Sequence, residues 1–256
     1  MLRDYKLNLI LVFIGFVLFS CENKKSDQFQ EQEFKKEKKV KRKMPKLDDD
    51  NAMEELAWYG PENPETIVQV ETKYGNIKLK LYKETSKHRA SFIMLAKRGY
   101  FTDAQFYRVV KNFIAQGGDS DDPDFRKKKR SFGKYHVPNE IDPRRFYHKR
   151  GALSAARAYK DNPTRQSTPF DFFIVQGRPV TEGDLAQSEQ DNGLKYTKEQ
   201  KEEYRKNGGD PHLDGQHTVF GEVIEGMDIV DKICDVETDE GEWPLEAIYM
   251  KIKVIE

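Results

Sequence analysis

Cysteine is scarce in this sequence, because only Cys21 and Cys234 occur among its 256 residues. Two cysteines so far apart cannot form the disulfide framework of a small secreted domain, and they match no metal-binding spacing. An excess of charge is also absent, since 44 Lys and Arg residues balance 44 Asp and Glu residues. A net charge of zero removes the general electrostatic reason for binding nucleic acid, so we expect no nucleic-acid partner.

A metal motif is missing as well. The four aspartates between residues 119 and 124 invite a calcium interpretation, but Pro123 interrupts the loop. Arg130 stands where a calcium loop would need its bidentate glutamate. The neighbouring basic run Arg126–Arg130 is interpreted as a solvated loop. The sequence therefore predicts no metal site, and nothing in it indicates a cofactor.

No apolar run is long enough to span a bilayer, which requires about 20 residues. The longest extends from Leu7 to Phe19, follows a basic start and ends at Ser20 and Cys21. This pattern is typical of an export signal. Because the end of the run also resembles a bacterial lipobox, we predict a signal peptide over residues 1–20 and a lipid anchor on Cys21. The protein would then lie in the bacterial cell envelope, on the inner or outer membrane. A plain secretory signal is the alternative.

Apolar residues are rare from Glu22 to about Asn63, where Lys, Glu, Asp and Gln dominate. A segment of this composition buries too little surface to offset the entropy lost on ordering. We therefore predict a disordered, charged linker over residues 21–63, followed by one folded domain over 64–256. The basic run Lys35–Lys43 has a second interpretation, as a patch for anionic lipid headgroups.

Alternating apolar and polar residues predict a mainly β domain. Residues 67–72 and 77–81, joined by a turn at Gly75 and Asn76, predict a hairpin. Further short strands are predicted at 106–110, 113–116, 152–156, 172–176, 218–223 and 247–255. Helical spacing predicts helices at 86–98 and 227–234, the second with Cys234 as a small core residue. Pattern alone leaves both a closed barrel and a sandwich open, and a barrel has the advantage of removing exposed sheet edges.

Two stretches are more specific: FYRVVKNFIAQGGD at Phe106–Asp119 and LDGQHTVFGEV at Leu213–Val223. Both resemble signatures of the cyclophilin family of peptidyl-prolyl isomerases, and Gly151–Ala158 and Phe172–Ile174 resemble its other two groove segments. The resemblance covers roughly Thr66 to Glu256. It implies a closed eight-stranded antiparallel β-barrel capped by two α-helices, with a substrate groove on its outer face. It also implies a peptidyl-prolyl cis-trans isomerase that acts on X-Pro bonds of unfolded or newly exported polypeptides as a monomer.

The resemblance also implies roles for individual residues. Arg108 is implied to be the catalytic arginine, with Phe113 and Gln116 as further catalytic positions. The implied substrate-binding residues are Ile114, Ala156, Arg157, Ala158, Asp171, Phe173, His212, Leu213 and His217. Within this set, His217 is expected to be a wall of the proline pocket rather than a base.

Four features depart from the family pattern. One is Arg157, which replaces a customary asparagine whose main role in the family is through its backbone. Asp171 replaces a customary glutamine, and we expect it near Arg108, where it would either orient the guanidinium or compete with substrate. A catalytically weak proline-binding or chaperone module is therefore the alternative function. His212 replaces a tryptophan that many eukaryotic members use for cyclosporin, so weak cyclosporin sensitivity is expected. An insertion over residues 178–211 contains a capping box at Thr197 that predicts a short helix, and it is either a substrate-selecting flap or a solvated helix pair.

Overall fold

Buried and exposed residues alternate along the last strand of the domain, where Ile248, Met250 and Ile252 are buried and Lys251 and Lys253 are exposed. A strand with this pattern turns one face toward a core and leaves the other in solvent. The structure is a computed structural model that describes residues 43–256. Within that range, eight strands form one sheet that closes into a barrel around a shared core.

Ten strands lie within the described residues. They are β1 (Leu47–Asp48), β2 (Ile67–Thr72), β3 (Gly75–Leu81), β4 (Ala104–Val110), β5 (Ile114–Asp119), β6 (Gly133–Lys134), β7 (Ala152–Ala155), β8 (Phe172–Val175), β9 (Val219–Glu225) and β10 (Ile248–Val254). Eight close into a barrel in the order β10-β2-β3-β9-β7-β8-β5-β4, and all neighbours are antiparallel. The other two, β1 and β6, form a parallel pair. The predicted closed eight-stranded antiparallel β-barrel is confirmed.

Six α-helices accompany the barrel within residues 43–256. They are α1 (Ala52–Glu62), α2 (Ser86–Lys97), α3 (Pro123–Phe132), α4 (Glu182–Asn192), α5 (Lys198–Asn207) and α6 (Met227–Cys234). The helices predicted at 86–98 and 227–234 are confirmed as α2 and α6. Phe92 of α2 enters the aromatic core, with its ring centroid 5.5 Å from those of Phe172 and Phe220. Cys234 is buried, and burial raises the pKa of its thiol to about 12. None of these helices is long and apolar enough to cross a bilayer.

The predicted linker over residues 21–63 is wrong in its C-terminal part. Residues 47–62 contain β1 and α1, and the folded unit begins at Pro45 rather than at residue 64. The signal peptide, Cys21 and the linker up to residue 42 lie outside the described residues, so those predictions remain predictions.

Helix α1 is ordered because a small apolar stripe on its surface packs against α2. Ala52 and Leu56 are buried, and Gly60 approaches Ala90 so closely that an added Cβ would lie 3.3 Å from the Ala90 Cβ. Arg89 of α2 reinforces the contact by donating hydrogen bonds to main-chain carbonyl oxygens at the end of α1. These few buried residues outweigh the charged composition of the surrounding sequence.

The hairpin turn also needs correction. Lys73 and Tyr74 form the turn between β2 and β3, whereas Gly75 and Asn76 belong to β3. The Thr72 hydroxyl accepts a hydrogen bond from the Tyr74 N–H and donates one to the Gly75 carbonyl oxygen. A side-chain turn of this kind allows residues without special turn propensity to reverse the chain.

The basic run Arg126–Arg130, interpreted above as a solvated loop, is helical. The Asp122 carboxylate accepts the Asp124 N–H and caps α3, and Pro123 occupies the first turn. Phe125 and Phe132 are buried on the opposite side of this helix. The loop interpretation was wrong because the two aromatic residues anchor an otherwise polar segment.

The insertion over 178–211 consists of α4, α5 and their connections. Capping boxes at Thr181 and Thr197 begin the two helices, so the helix predicted from Thr197 is confirmed. The insertion has an apolar cluster of its own, which comprises Val180, Leu185, Tyr196 and Tyr204. The helix pair is therefore packed rather than fully solvated, whereas a role in selecting substrates remains a prediction.

Candidate active site

Three neighbouring strands bring the predicted catalytic side chains together. Arg108 of β4 lies opposite Gln116 of β5, which in turn lies opposite Phe173 of β8. Residues paired across strands project from the same face of a sheet, so these side chains share the outer face of the barrel. The Arg108 guanidinium carbon lies 5.7 Å from the centroid of the Phe113 ring, just before β5.

An apolar cluster adjoins these residues on the outer face. Ile114, Ala156, Phe173 and Leu213 are buried members of it, and half-buried Phe113 packs against them. The members come from β5, β8, the end of β7 and a short 3₁₀ helix at Pro211–Leu213. An apolar surface of this kind suits a proline ring, which is apolar and has no amide hydrogen to satisfy.

Two histidine rings border this cluster. His212 is exposed, its ring centroid lies 5.6 Å from that of Phe113, and its hydrogen bond with Asp210 raises its pKa. His217 is buried and its ring meets Phe173 edge-on, with centroids 5.3 Å apart. One histidine is therefore an exposed, titratable rim residue, and the other is part of the wall.

The protonation of His217 follows from its partners. Nδ1 lies 3.1 Å from the Ala155 carbonyl oxygen, which only accepts, so Nδ1 carries the proton. Nε2 is then an acceptor, and the exposed Tyr159 donates its hydroxyl hydrogen to it at 2.8 Å. Burial and the adjacent His148 lower the pKa of His217 to about 3. At neutral pH, His217 is an uncharged surface suited to contact rather than to proton transfer.

Behind this wall lies a fully buried carboxylate, Asp214. Its Oδ1 accepts the backbone N–H of His148 at 2.7 Å and the Nδ1–H of the same residue at 2.8 Å. Its Oδ2 accepts the hydroxyls of Tyr196 at 2.7 Å and Tyr204 at 2.6 Å. A buried charge is tolerated only when hydrogen bonds satisfy it, as these four do. Because both tyrosines belong to the insertion, the insertion supports the segment that carries Leu213 and His217.

Arg108 has a different kind of partner. Its Nε donates to Oε2 of Glu242 at 2.6 Å, and both side chains are about two-fifths exposed. Glu242 lies in the loop that connects α6 to β10. The expected pairing of Arg108 with Asp171 is wrong, because Asp171 accepts a hydrogen bond from the Tyr107 hydroxyl at 3.2 Å instead.

Gln116 and Asp171 are joined through Tyr107. The Gln116 amide donates to the Tyr107 hydroxyl at 2.6 Å, and that hydroxyl donates to Asp171. Burial raises the pKa of the Asp171 carboxyl, and the positive charge of Lys129 opposes this effect. Within residues 43–256 the side-chain carbonyl oxygen of Gln116 accepts no hydrogen bond, whereas its NH2 group donates to Tyr107.

The remaining predicted groove residues lie along the loop after β7. Ala156 is buried and its carbonyl oxygen accepts from Thr168, whereas Ala158 is exposed. Arg157 donates from Nε to the Gln216 carbonyl oxygen at 2.7 Å, and its guanidinium lies 4.2 Å from the centroid of the Tyr159 ring. Arg157 therefore links this loop to the segment that carries His217.

Sequence reasoning missed Glu242, Tyr107, Tyr159 and Asp214 as parts of the site. Asp214 lies inside the LDGQH motif and Tyr107 lies beside Arg108, so a local sequence signal marks both positions. Tyr159 and Glu242 carry no local signal, since Glu242 lies 134 positions from Arg108. Only the fold brings these residues together.

The acidic loop after β5 is engaged in ion pairs. Asp119 pairs with Lys129 at 2.6 Å and Asp124 pairs with Lys127 at 2.8 Å. In the part of the chain that the structure describes, no three His, Cys, Asp or Glu side chains are arranged to hold a metal ion. The carboxylates of this loop therefore stabilise α3 and its surroundings.

A closed antiparallel barrel with an arginine beside an apolar groove on its outer face defines the class of cyclophilin-like barrels. Sequence comparison matches residues 67–254 to the family described as cyclophilin type peptidyl-prolyl cis-trans isomerase/CLD. That match covers well over half of the chain. The chain belongs to the cyclophilin-type peptidyl-prolyl cis-trans isomerase family.

Individual relatives agree with this assignment. The chain is 32% identical over 188 residues to a putative peptidyl-prolyl cis-trans isomerase of Staphylococcus saprophyticus, covering 72% of this chain and 89% of that one. It is 32% identical over 187 residues to peptidyl-prolyl cis-trans isomerase-like 2 of Rhizopus delemar, covering 73% of this chain but only 28% of that longer protein. The crystal structure of a cyclophilin type peptidyl-prolyl cis-trans isomerase from Cryptosporidium parvum shares the fold, with a TM-score of 0.54 and 24% identity over 75% of this chain and 98% of that one.

Proposed function

We propose that this chain accelerates the cis-trans isomerisation of X-Pro peptide bonds in exported polypeptides. The observation that carries the proposal is the position of the Arg108 guanidinium over Phe113, beside the apolar cluster of Ile114, Phe173 and Leu213. Family membership over residues 67–254 supports the same reaction.

The reaction places few chemical demands on a catalyst. Rotation about the X-Pro bond crosses a barrier of nearly 20 kcal/mol because amide resonance is lost midway, so it takes tens to hundreds of seconds unaided. No bond is formed or broken. An active site therefore needs to hold the proline ring and to bind the twisted amide more tightly than either planar form.

The two halves of this site match those two demands. The apolar cluster holds the ring, and a guanidinium nitrogen of Arg108 donates to the proline nitrogen, whose lone pair is released when the amide twists. A hydrogen bond that involves a charged group contributes about 1.5 to 3 kcal/mol. If the bond forms mainly in the transition state, it accelerates the reaction roughly ten- to a hundredfold.

The alternative function, proline binding without useful catalysis, depended on Asp171 competing for Arg108. Asp171 contacts Tyr107 instead, so this competition is absent from the site. The Arg108 guanidinium donates from Nε to Glu242, and both of its terminal nitrogens lack a hydrogen bond among residues 43–256. The geometry therefore favours the catalytic function.

A protease-coupled assay tests the proposal. Chymotrypsin cleaves an Ala-Pro-Phe peptide only when the Ala-Pro bond is trans, so the slow phase of cleavage reports isomerisation. Micromolar amounts of the purified full chain are expected to speed the slow phase in proportion to enzyme concentration. A slow phase that stays at the uncatalysed rate, although the peptide binds, would favour the binding module.

We also propose that the enzyme acts at the bacterial cell envelope, anchored through Cys21. The support is the short apolar run that follows a basic start and ends at Ser20 and Cys21, a pattern typical of an export signal. A lipidated cysteine with more than one acyl chain would hold the protein stably on a membrane. Incorporation of labelled palmitate into the wild type but not into Cys21→Ser is expected, and equal release of both proteins in soluble form would contradict the anchor.

A further inference from the structure

Glu242 makes the closest polar contact to the arginine of the proposed active site. Its Oε2 lies 2.6 Å from Nε of Arg108, although the two residues are 134 positions apart in the chain. We propose that Glu242 is a positioning residue, which holds Arg108 in the orientation that the isomerisation requires. This role rests on the proposed function and adds the residue that prepares its catalytic group.

The loop around Glu242 is built to present this side chain. Asp239 accepts the N–H groups of Gly241 and Trp243 through its carboxylate, and its carbonyl oxygen accepts the Glu242 N–H. Glu242 itself has a left-handed backbone, with φ of 64°. Residues other than glycine rarely adopt this conformation, and where they do, the surroundings impose it, often at functional sites.

The same loop is attached to the strand that carries Arg108. The Glu242 carbonyl oxygen accepts the N–H of Val109, the residue after Arg108, at 2.9 Å. The Trp243 ring packs against the Tyr107 ring, with centroids 5.6 Å apart. Contacts on both sides of Arg108 therefore fix where the Glu242 carboxylate lies relative to the guanidinium.

Other polar groups near Arg108 are engaged elsewhere. Gln116, opposite Arg108 on β5, donates to Tyr107, and Asp171 accepts from the same hydroxyl. Among residues 43–256, Glu242 is the single hydrogen-bond partner of the Arg108 guanidinium. Losing Glu242 would leave the guanidinium with its contact to the Phe113 ring but without a hydrogen bond among residues 43–256.

The geometry of the pair suits positioning rather than blocking. Glu242 occupies Nε and leaves the two terminal nitrogens for substrate. An arginine side chain is flexible, and ordering it before the reaction removes that entropic cost from the transition state. Because both partners are partly exposed, solvent screens the pair and its effect on stability is small. Removing Glu242 should therefore change the rate far more than the fold.

A double-mutant cycle on the full chain tests this role, with kcat and KM measured separately in the protease-coupled assay. The variants are Glu242→Ala, Glu242→Gln, Arg108→Ala and the double variant Arg108→Ala with Glu242→Ala. Glu240→Ala is the matched control, because Glu240 is an exposed acid of the same loop with no hydrogen bond to another residue among 43–256. Thermal unfolding of each variant reports whether the fold is retained.

We expect Glu242→Ala to lower kcat/KM roughly three- to tenfold, mainly through kcat, which is the factor that ordering one long side chain is worth. Glu242→Gln retains an oxygen that accepts from Nε, so its rate should stay within about twofold of the wild type. In the Arg108→Ala background, Glu242→Ala should change nothing. Glu240→Ala should match the wild type.

Two results would overturn the role of Glu242 alone: a Glu242→Ala variant as fast as the wild type, or an equal loss in the presence and absence of Arg108. The second would show that Glu242 acts through the fold rather than through the arginine. An inactive wild type would instead overturn the proposed function, and the positioning role with it.

Discussion

On one side of the groove, Leu213 and His217 rest on Asp214, a fully buried carboxylate that four hydrogen bonds from His148, Tyr196 and Tyr204 hold in place. On the other side, Arg108 is partly exposed and depends on one hydrogen bond from a loop. The first side gains its rigidity from burial, so changing it should affect stability first. On the second side, the Arg108 and Glu242 side chains are partly exposed and contribute little to stability, so changing them should affect the rate first.

The largest effect expected on the rigid side follows from Asp214→Ala. The substitution leaves four buried donors without their shared acceptor, and breaking a buried charged network costs about 3 to 5 kcal/mol. Urea denaturation at pH 7 would measure the free energy of unfolding. Asp228→Ala is the control, because Asp228 is exposed and its ion pair within residues 43–256 is with Lys232 on the same helix. A loss below about 1 kcal/mol for Asp214→Ala would show that the wall does not depend on this carboxylate.

The buried histidine makes the same side sensitive to acid. The pKa of His217 is about 3 in the folded state and close to 6.5 when unfolded, so below pH 6.5 the unfolded chain binds a proton that the folded chain excludes. Stability conferred by neutral His217 is therefore present above pH 6.5 and lost as the pH falls toward 3. Between pH 7 and pH 5 the loss is about 2 kcal/mol.

Comparison with His217→Phe isolates this effect from other acid-sensitive groups. The wild type should lose about 2 kcal/mol more than the variant between pH 7 and pH 5, measured by urea denaturation at each pH. Parallel losses in the two proteins would mean that His217 is protonated in the folded state.

Removing single hydroxyls from the insertion should have smaller effects. Tyr204→Phe deletes one hydrogen bond to the Asp214 carboxylate and is expected to cost about 1.5 kcal/mol. Tyr196→Phe also removes the contact with the Ser188 hydroxyl and is expected to cost at least as much. Tyr249→Phe is the control, since Tyr249 is half-exposed on β10. If both insertion variants are as stable as this control, the helix pair does not support the wall.

The smallest effect is expected in the pH dependence of the rate. His217 stays neutral from pH 6 to pH 8. Because arginine side chains in general do not titrate in this range, kcat/KM on an uncharged peptide should vary by no more than about threefold. The hydrogen bond with Asp210 raises the pKa of His212, an exposed group beside Phe113. A residual slope should therefore disappear in His212→Ala, and a steep step that persists there would point to an ionising group in the mechanism.

The parts of this molecule that the sequence predicts well are those with local signals. The segments Phe106–Asp119 and Leu213–Val223 each carry a family motif, and the strands β4, β5 and β9 lie within or overlap them. The capping box at Thr197 likewise marks the start of α5. In each case the signal lies within the segment whose structure it predicts.

Other parts depend on contacts that no local pattern records. Helix α1 follows a charged stretch, but Ala52 and Leu56 are buried and Gly60 lies close to Ala90 of α2, and this packing orders the helix. The family pattern predicts Asp171 near Arg108, whereas the hydrogen-bond partner of Arg108 is Glu242 from a distant loop. Contacts between segments that are distant in sequence determine both the order of α1 and the partner of Arg108.

The most direct test of the central claim is exchange NMR spectroscopy on an Ala-Pro peptide at equilibrium, because it observes isomerisation without a protease. Catalytic amounts of the wild type should raise the cis-trans exchange rate well above its uncatalysed value. Arg108→Ala should still shift the peptide resonances on binding, yet lose roughly ten- to a hundredfold of the acceleration. An Arg108→Ala variant that exchanges the peptide as fast as the wild type would contradict the account.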